Sequence, residues 1–171
     1  FDLEKWRGAS AKAGQFIRDG GLKRFAFQVE KFENVSEEVL TEAFIVGLRL
    51  GTYQFKELKT QEREKIKEIE EGVLLGRSDK EVEAIQRGCR TGEIISDAVY
   101  MVRDLVNAPS NQVTPTFLAE RAKEIAQRYG MDIEVLEMAQ AEALGMGAFV
   151  GVAKGSQEPP KFIILEYNKG K

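Results

Sequence analysis

Apolar side chains recur every three or four residues in five segments of the chain, which is the spacing of one helix face. We therefore predict helices at 2–19, 36–51, 79–106, 114–129 and 137–144. Serine, threonine or proline begins several of these segments and glycine follows several, as helix ends require. The third helix has about 28 residues and would be about 42 Å long, a length that often bridges two domains.

Shorter segments alternate between apolar and polar residues, or are apolar throughout, and these predict strands at 23–30, 68–75, 132–136, 148–153 and 161–167. The stretch Gly-Ser-Gln-Glu-Pro-Pro between the last two would be a hairpin-like turn. Helices and strands thus alternate along both halves of the chain. This order predicts an α/β fold class with helices layered on sheets.

We predict parts of two layered α/β domains joined by the long helix. Residues 1–77 would be the C-terminal part of the first domain, 78–113 the linking helix with its loop, and 114–171 the first part of the second domain. Ser78 and Glu81 are predicted to form a capping box that starts the linking helix, each accepting the other's free backbone N–H.

Composition limits the chemistry that this chain can carry. A net charge of -3 gives no electrostatic case for binding nucleic acid or an anionic membrane. The chain has no histidine and a single cysteine, Cys89. A Ser-His-Asp triad, a Cys-His pair, a histidine-ligated zinc site and an internal disulfide are therefore excluded from this chain alone, and the lone thiol is typical of a reducing cytoplasm.

The first residues of the chain do not resemble a targeting segment. These residues, Phe-Asp-Leu-Glu-Lys, differ from a signal peptide, and no apolar run approaches the roughly 20 residues that a membrane span needs. The chain also begins without methionine, from which we expect that it belongs to a longer protein.

Glycine-rich segments favour turns over binding sites. Gly151–Ser156 resembles a degraded phosphate loop. A true phosphate loop has glycine before lysine and a helix after the loop, whereas here Lys154 comes before Gly155. Two prolines and a predicted strand then follow the segment. The segments Gly72–Gly76 and Gly145–Gly147 lack the dinucleotide-binding pattern, so we predict backbone turns there.

The acidic cluster near residue 70 and the lone cysteine also favour structural roles. The acidic cluster Glu68, Glu70 and Glu71 could be a metal site, with the first two on one face of a strand, but a solvent-facing edge is the favoured interpretation. Cys89 is interpreted as a small buried residue rather than a reactive thiol.

Arg103 and Asp104 lie near the end of the long helix, where they could pair locally or hold the following loop in shape. We favour structural support for both residues. The residue chemistry alone therefore predicts an α/β scaffold without an active site.

The segment Tyr100–Ala119 resembles the interdomain signature of the leucine aminopeptidase (cytosol aminopeptidase) family, Arg-Asp-Leu-x-Asn-x-Pro-x-Asn-x-x-Thr-Pro. Ser110 stands where the family often has proline. The residues that match the signature are Arg103, Asp104, Leu105, Asn107, Pro109, Asn111, Thr114 and Pro115. Further segments that are similar to the family, in the same order, are Gly47–Phe55 with Lys59, Leu144–Gly147, Val152–Ser156, Glu158–Pro160 and Leu165–Tyr167. Within them, Leu58 replaces a tyrosine and Asn168 is an insertion.

The resemblance implies a fragment of a metalloaminopeptidase, a hydrolase that releases N-terminal amino acids from peptides. Such a protease has an N-terminal α/β domain and a larger catalytic α/β domain linked by a long helix. The resemblance further implies two divalent metal ions, manganese or zinc, that activate water. It also implies a cytoplasmic location and a homo-oligomer, which in the family is a hexamer.

The family's metal ligands lie in motifs of the type Lys-Gly-x-x-Phe-Asp and Asn-x-Asp-x-Glu-Gly-Arg, and neither occurs in this sequence. Lys154-Gly155 does not belong to the first motif, because Ser-Gln-Glu follows it where the motif requires x-x-Phe-Asp. The first ligand motif would come shortly after Lys171. We therefore expect no catalytic, metal-binding or substrate-binding residue in this chain, no bound metal, and no activity of the chain alone.

The alternative is a non-catalytic interaction or oligomerisation module derived from the same scaffold. A shortened catalytic sheet would leave the strand near Phe162–Tyr167 with an open edge, so we expect the chain to self-associate or to be held by partner segments. Neither nucleic acid nor a membrane is an expected partner.

Overall fold

The helices begin and end largely where the capping residues predict, in a computed structural model that describes residues 1–170. The chain forms two compact units that divide after Asn107. The first unit contains α1 (Leu3–Asp19), β1 (Arg24–Gln28), α2 (Glu37–Thr52), β2 (Glu71–Leu75) and α3 (Asp79–Asn107). The second contains α4 (Pro115–Tyr129), β3 (Asp132–Leu136), α5 (Met138–Ala143), α6 (Gly147–Ala153) and β4 (Phe162–Glu166). The predicted α/β class is confirmed.

In the first unit, β1 and β2 form a parallel pair, with α2 between them in sequence. Leu40 and Ala43 of α2 are buried, and the Phe44 ring stacks on Phe27 of β1 with 4.6 Å between ring centroids. Trp6 of α1 donates its indole N–H to the carbonyl of Leu40 at 3.0 Å. The apolar face of α2 is thus the centre of this core, where burial of large apolar side chains stabilises the fold.

The long helix α3 has 29 residues and packs along α2 through small side chains. Gly88, Gly92 and Ser96 are buried, and a Cβ added to Gly88 would lie 2.3 Å from the carbonyl oxygen of Glu38. By contrast, Ile94, one of the apolar residues that predicted the helix, is 64% exposed. The two backbones approach so closely that only small residues fit between them.

The predicted helix starts are confirmed at Ser36 and at Thr114, whose hydroxyl groups accept backbone N–H groups of the following turn. The predicted capping box at α3 is half correct. The Glu81 amide donates to the Ser78 hydroxyl at 3.4 Å, but the Glu81 carboxylate accepts from the Arg77 amide at 2.6 Å instead of that of Ser78. The side chain of Glu81 therefore satisfies a donor one residue before the cap.

Several predicted boundaries in the first unit shift by one to three residues, and the strand predicted at 23–30 is observed at Arg24–Gln28. The helix predicted to close at Gly51 continues to Thr52, and the strand predicted from residue 68 begins at Glu71. A short 3-10 turn at Arg63–Lys65 lies within the charged loop between them.

The prediction of a strand at 148–153 is wrong, because these residues lie in α6. A short apolar run does not distinguish a buried strand from a helix, and here only Val150 is buried whereas Val152 is 85% exposed. The hairpin predicted between 148–153 and 161–167 is therefore also wrong, since its first strand is a helix. The segment at 155–160 connects α6 to β4, and β4 pairs antiparallel with β3, from Asp132 opposite Glu166 to Leu136 opposite Phe162.

The predicted domain limits at residues 77 and 113 stay a prediction, and Lys171 at the end of the predicted second domain lies outside the described residues. No helix within residues 1–170 is both long enough and apolar enough to cross a membrane.

Candidate functional site

The first half of the Arg-Asp-Leu-x-Asn signature lies in the last turns of α3 and contacts the end of α2. The Arg103 guanidinium donates to the carbonyl of Leu50 at 3.0 Å and lies over the ring of Tyr53, 5.2 Å from its centroid. Arg103 thus serves as a hydrogen-bond donor for the end of α2 and as a cation above an aromatic face.

Asp104 binds the same tyrosine through its hydroxyl group. The Tyr53 hydroxyl donates to Oδ1 of Asp104 at 2.7 Å and accepts from the side-chain amide of Asn107 at 3.2 Å. Burial, followed by the hydrogen bond to Asp104, raises the pKa of Tyr53 above its ordinary value. The hydroxyl therefore stays protonated and remains a donor at neutral pH.

A second tyrosine continues the same arrangement toward the middle of α3. The rings of Tyr53 and Tyr100 lie 5.0 Å apart, and the Arg49 guanidinium lies 5.3 Å from the centroid of the Tyr100 ring. The Tyr100 hydroxyl donates to the carbonyl of Arg49, and Arg49 also binds Asp97 at 2.6 Å. We call this set the α2–α3 clamp, and it comprises Arg49, Tyr53, Tyr100, Arg103, Asp104 and Asn107.

The clamp supports a structural role for Arg103 and Asp104, but their main contacts differ from those suggested by the sequence. Of the two roles considered, local pairing and shaping of the following loop, neither describes their main contacts, which join α3 to the end of α2. Tyr53 was missed as a key residue, because it lies outside the predicted helices and strands and no local pattern singles it out. Its position within the family-like segment Gly47–Phe55 was the available signal.

The second half of the signature forms the loop and the start of α4. The carbonyl of Pro109 accepts the amides of Gln112 and Val113 at 2.9 and 3.1 Å. Thr114 then accepts the amide of Phe117 at 3.2 Å, and Pro115 occupies the first turn of the helix. These residues therefore form a turn followed by a helix cap.

The acidic cluster at 68–71 consists of exposed ion pairs. Glu68 pairs with Lys56, Glu70 with Lys23 at 2.6 Å, and Glu71 with Arg24 at 3.2 Å. The hydrogen bond from Lys23 lowers the pKa of Glu70. Each carboxylate has its own cationic partner, which agrees with a solvent-facing edge. The predicted shared face of Glu68 and Glu70 does not apply, since both precede the strand.

Cys89 lies on α3 and is only partly buried. Burial, followed by the charge of Glu93, raises the pKa of its thiol. A raised pKa keeps the thiol protonated and poorly nucleophilic, so the interpretation of a non-reactive residue stands, although the side chain is less buried than predicted.

The glycine-rich segments do not form a phosphate site. Gly151 lies inside α6 and Lys154 follows that helix, whereas a phosphate loop needs a strand before it and a helix after it. Gly145 has a φ of 71° in the turn after α5, as predicted for a turn. Residues 72–75 lie within β2 and Gly147 begins α6, so the turns predicted for these segments are wrong at those residues.

An open cavity of about 1240 Å³ lies in the first unit between the sheet, α2 and α3. Its lining includes Phe25, Leu74, Ile85, Cys89, Tyr100 and Asp104. The residues described bring no three His, Cys, Asp or Glu side chains together as possible metal ligands. Residues 1–170 therefore do not fit a two-metal centre, and we derive no metal-dependent step from them.

Comparison with known proteins supplies a family. Residues 100–171 match the model of the cytosol aminopeptidase family, catalytic domain. A probable cytosol aminopeptidase of Alkaliphilus metalliredigens is 41% identical over 138 residues, which cover 80% of this chain and 28% of that protein. One of Geotalea uraniireducens is 39% identical over 171 residues, covering 98% of this chain and 34% of the relative. The chain thus spans about a third of the length of these relatives.

Solved structures agree with the sequence matches. The bottromycin maturation enzyme BotP in complex with Mn is 25% identical, with a TM-score of 0.80 over 98% of this chain and 34% of that protein. A mutant of tomato leucine aminopeptidase is 26% identical, with a TM-score of 0.81 over 97% of this chain and 34% of that protein. The resemblance carried by Arg103 to Pro115 is therefore confirmed, and the chain belongs to the cytosol aminopeptidase family over the residues that these matches cover.

Proposed function

We propose that this chain is the scaffold portion of a metal-dependent aminopeptidase that releases N-terminal residues from peptides, and that residues outside the chain hold the metals. The match of residues 100–171 to the catalytic domain of the cytosol aminopeptidase family carries this proposal. It is supported by the sequence, which contains neither of the family's two ligand motifs.

The cofactor in this proposal is a pair of divalent ions, manganese or zinc, bound by the whole enzyme. One structural neighbour is described in complex with Mn. Such ions would polarise the scissile carbonyl and generate hydroxide from water. We propose peptides as substrates, a cytoplasmic location, and a homo-oligomer that is a hexamer as in the family.

An activity assay tests the proposal. We expect the purified chain to hydrolyse no leucine p-nitroanilide above the buffer rate with added Mn²⁺ or Zn²⁺, while a full-length cytosol aminopeptidase assayed in parallel is active. Hydrolysis by the chain that EDTA abolishes would contradict the claim that the metal ligands lie elsewhere.

The coding sequence distinguishes the enzyme from the alternative, an interaction or oligomerisation module. We expect the reading frame to continue beyond Lys171 into a Lys-Gly-x-x-Phe-Asp motif, and the longer product to hydrolyse the substrate with added metal. A stop codon directly after Lys171 would refute the enzymatic proposal and favour the module.

A further inference from the structure

The last turn of α3 has features that weaken a helix end. Its final carbonyl groups have no partner within the helix, and no basic side chain lies in this turn. Asp104 instead places a negative charge near the negative end of the helix dipole. An isolated helix with this sequence would fray at these residues.

One hydroxyl group offsets these weaknesses. Tyr53 is the first residue after α2, where the backbone turns to an extended conformation with a φ of -54° and a ψ of 136°. Its hydroxyl donates to Asp104 and accepts from Asn107, which lie three residues apart on α3. A single atom thereby ties the two ends of the last helical turn, and a hydrogen bond to a charged group is stronger than a neutral one.

We propose that the Tyr53 hydroxyl is a lock that holds the last turn of α3 closed and so fixes the residue at which the chain leaves the helix for the loop at 108–113. The ring of Tyr53 has a separate role. The Arg103 guanidinium lies 5.2 Å and the centre of the Tyr100 ring 5.0 Å from the centre of the Tyr53 ring, and neither contact involves the hydroxyl.

This separation allows Tyr53→Phe to remove the lock while it keeps these ring contacts. Hydrogen exchange measured by mass spectrometry on the full chain is expected to become roughly fivefold faster or more at the amides of 104–107, as loss of these hydrogen bonds opens the turn locally. The amides of 85–96, where α3 packs closely on α2, keep their exchange rates.

Two tyrosine variants serve as controls. Tyr100→Phe removes a hydroxyl that binds the carbonyl of Arg49 and leaves Asp104 and Asn107 untouched, so it should not accelerate exchange at 104–107. Tyr129→Phe alters an exposed tyrosine in the second unit and should change nothing in α3.

The opposite results overturn the proposal. Unchanged exchange at 104–107 in Tyr53→Phe would show that the ring alone holds the turn, and equal acceleration along all of α3 would show a general loss of stability. Should Tyr53→Phe fail to fold, exchange at 104–107 is measured in Asp104→Ala and Asp104→Asn instead. We expect faster exchange in Asp104→Ala. We expect little change in Asp104→Asn, which keeps an acceptor oxygen. Equal rates in these two variants would refute the proposal.

Discussion

The middle of α3 and its C-terminal end are held to α2 in different ways. In the middle of the helix, Gly88, Gly92 and Ser96 let the two helix backbones approach until a carbon added to either glycine would clash. At its C-terminal end, charged and aromatic side chains of the α2–α3 clamp reach across with hydrogen bonds and ring contacts. Close packing tolerates almost no change in volume, whereas a polar clamp can lose one contact and keep the others.

The largest effect is expected where the backbones are closest. Gly88→Ala would place a carbon 2.3 Å from the carbonyl oxygen of Glu38, so we expect a loss of about 2 kcal/mol in the free energy of unfolding. Urea unfolding followed by fluorescence of Trp6, the single tryptophan, measures it.

The matched control for this change is Gly8→Ala in α1. No atom lies within 4 Å of the added carbon there, and alanine is the better helix former by about 1 kcal/mol, so the protein should become slightly more stable. Equal effects of the two substitutions would contradict close packing as the cause at Gly88.

The clamp should respond less strongly. Arg103→Met keeps the aliphatic stem but removes the hydrogen bond to Leu50 and the cation above Tyr53, at an expected cost of about 1–2 kcal/mol. Arg87→Met on the same helix removes an exposed pair with Glu38 and should cost less than about 0.5 kcal/mol. Urea midpoints that rank these variants in the reverse order would refute the role of the clamp.

Acid should weaken the N-terminal end of α3. The hydrogen bond from Lys31, followed by the Arg77 amide, holds the pKa of Glu81 below its model-compound value of 4.5. Its stabilising contribution is therefore present above pH 4.5 and is lost as the pH falls through the lowered pKa. Urea titrations at pH 6 and at progressively lower pH should show a smaller acid-dependent loss in Glu81→Gln than in the parent chain. An identical acid dependence would contradict this prediction.

Alkali should weaken the opposite end, with the smallest effect. The folded chain raises the pKa of Tyr53 above 10.0, so its contribution is complete below pH 10.0 and is lost as the pH rises through the raised pKa. The difference in unfolding free energy between the parent chain and Tyr53→Phe should be smaller above pH 10.0 than at pH 8. A difference that is constant with pH would contradict the prediction, and Tyr129→Phe provides the control.

Local rules in the sequence predicted much of the fold. The caps at Ser36 and Thr114 each satisfy a free amide within their own helix, so neighbouring residues are enough to identify them. The run at 148–153 was predicted as a strand because apolar character alone does not indicate the period of the structure. Whether such a segment forms a strand or a helix depends on the residues that pack against it.

The candidate site was less accessible to sequence reasoning. Tyr53 and Asp104 are 51 residues apart, and nothing in their local patterns indicates that they meet. The packing face of α3 was equally hidden, since its glycines carry no hydrophobic signal, whereas the exposed Ile94 does. Contacts between distant residues depend on helix geometry that local patterns do not contain.

We propose that this chain is the scaffold of an aminopeptidase whose metal ligands lie outside it. Titration of Mn²⁺ into the purified chain by isothermal calorimetry tests it most directly, with a full-length cytosol aminopeptidase stripped of metal as the positive control. We expect no saturable binding to the chain and saturable binding to the control. Stoichiometric, saturable binding of Mn²⁺ by the chain itself would contradict it.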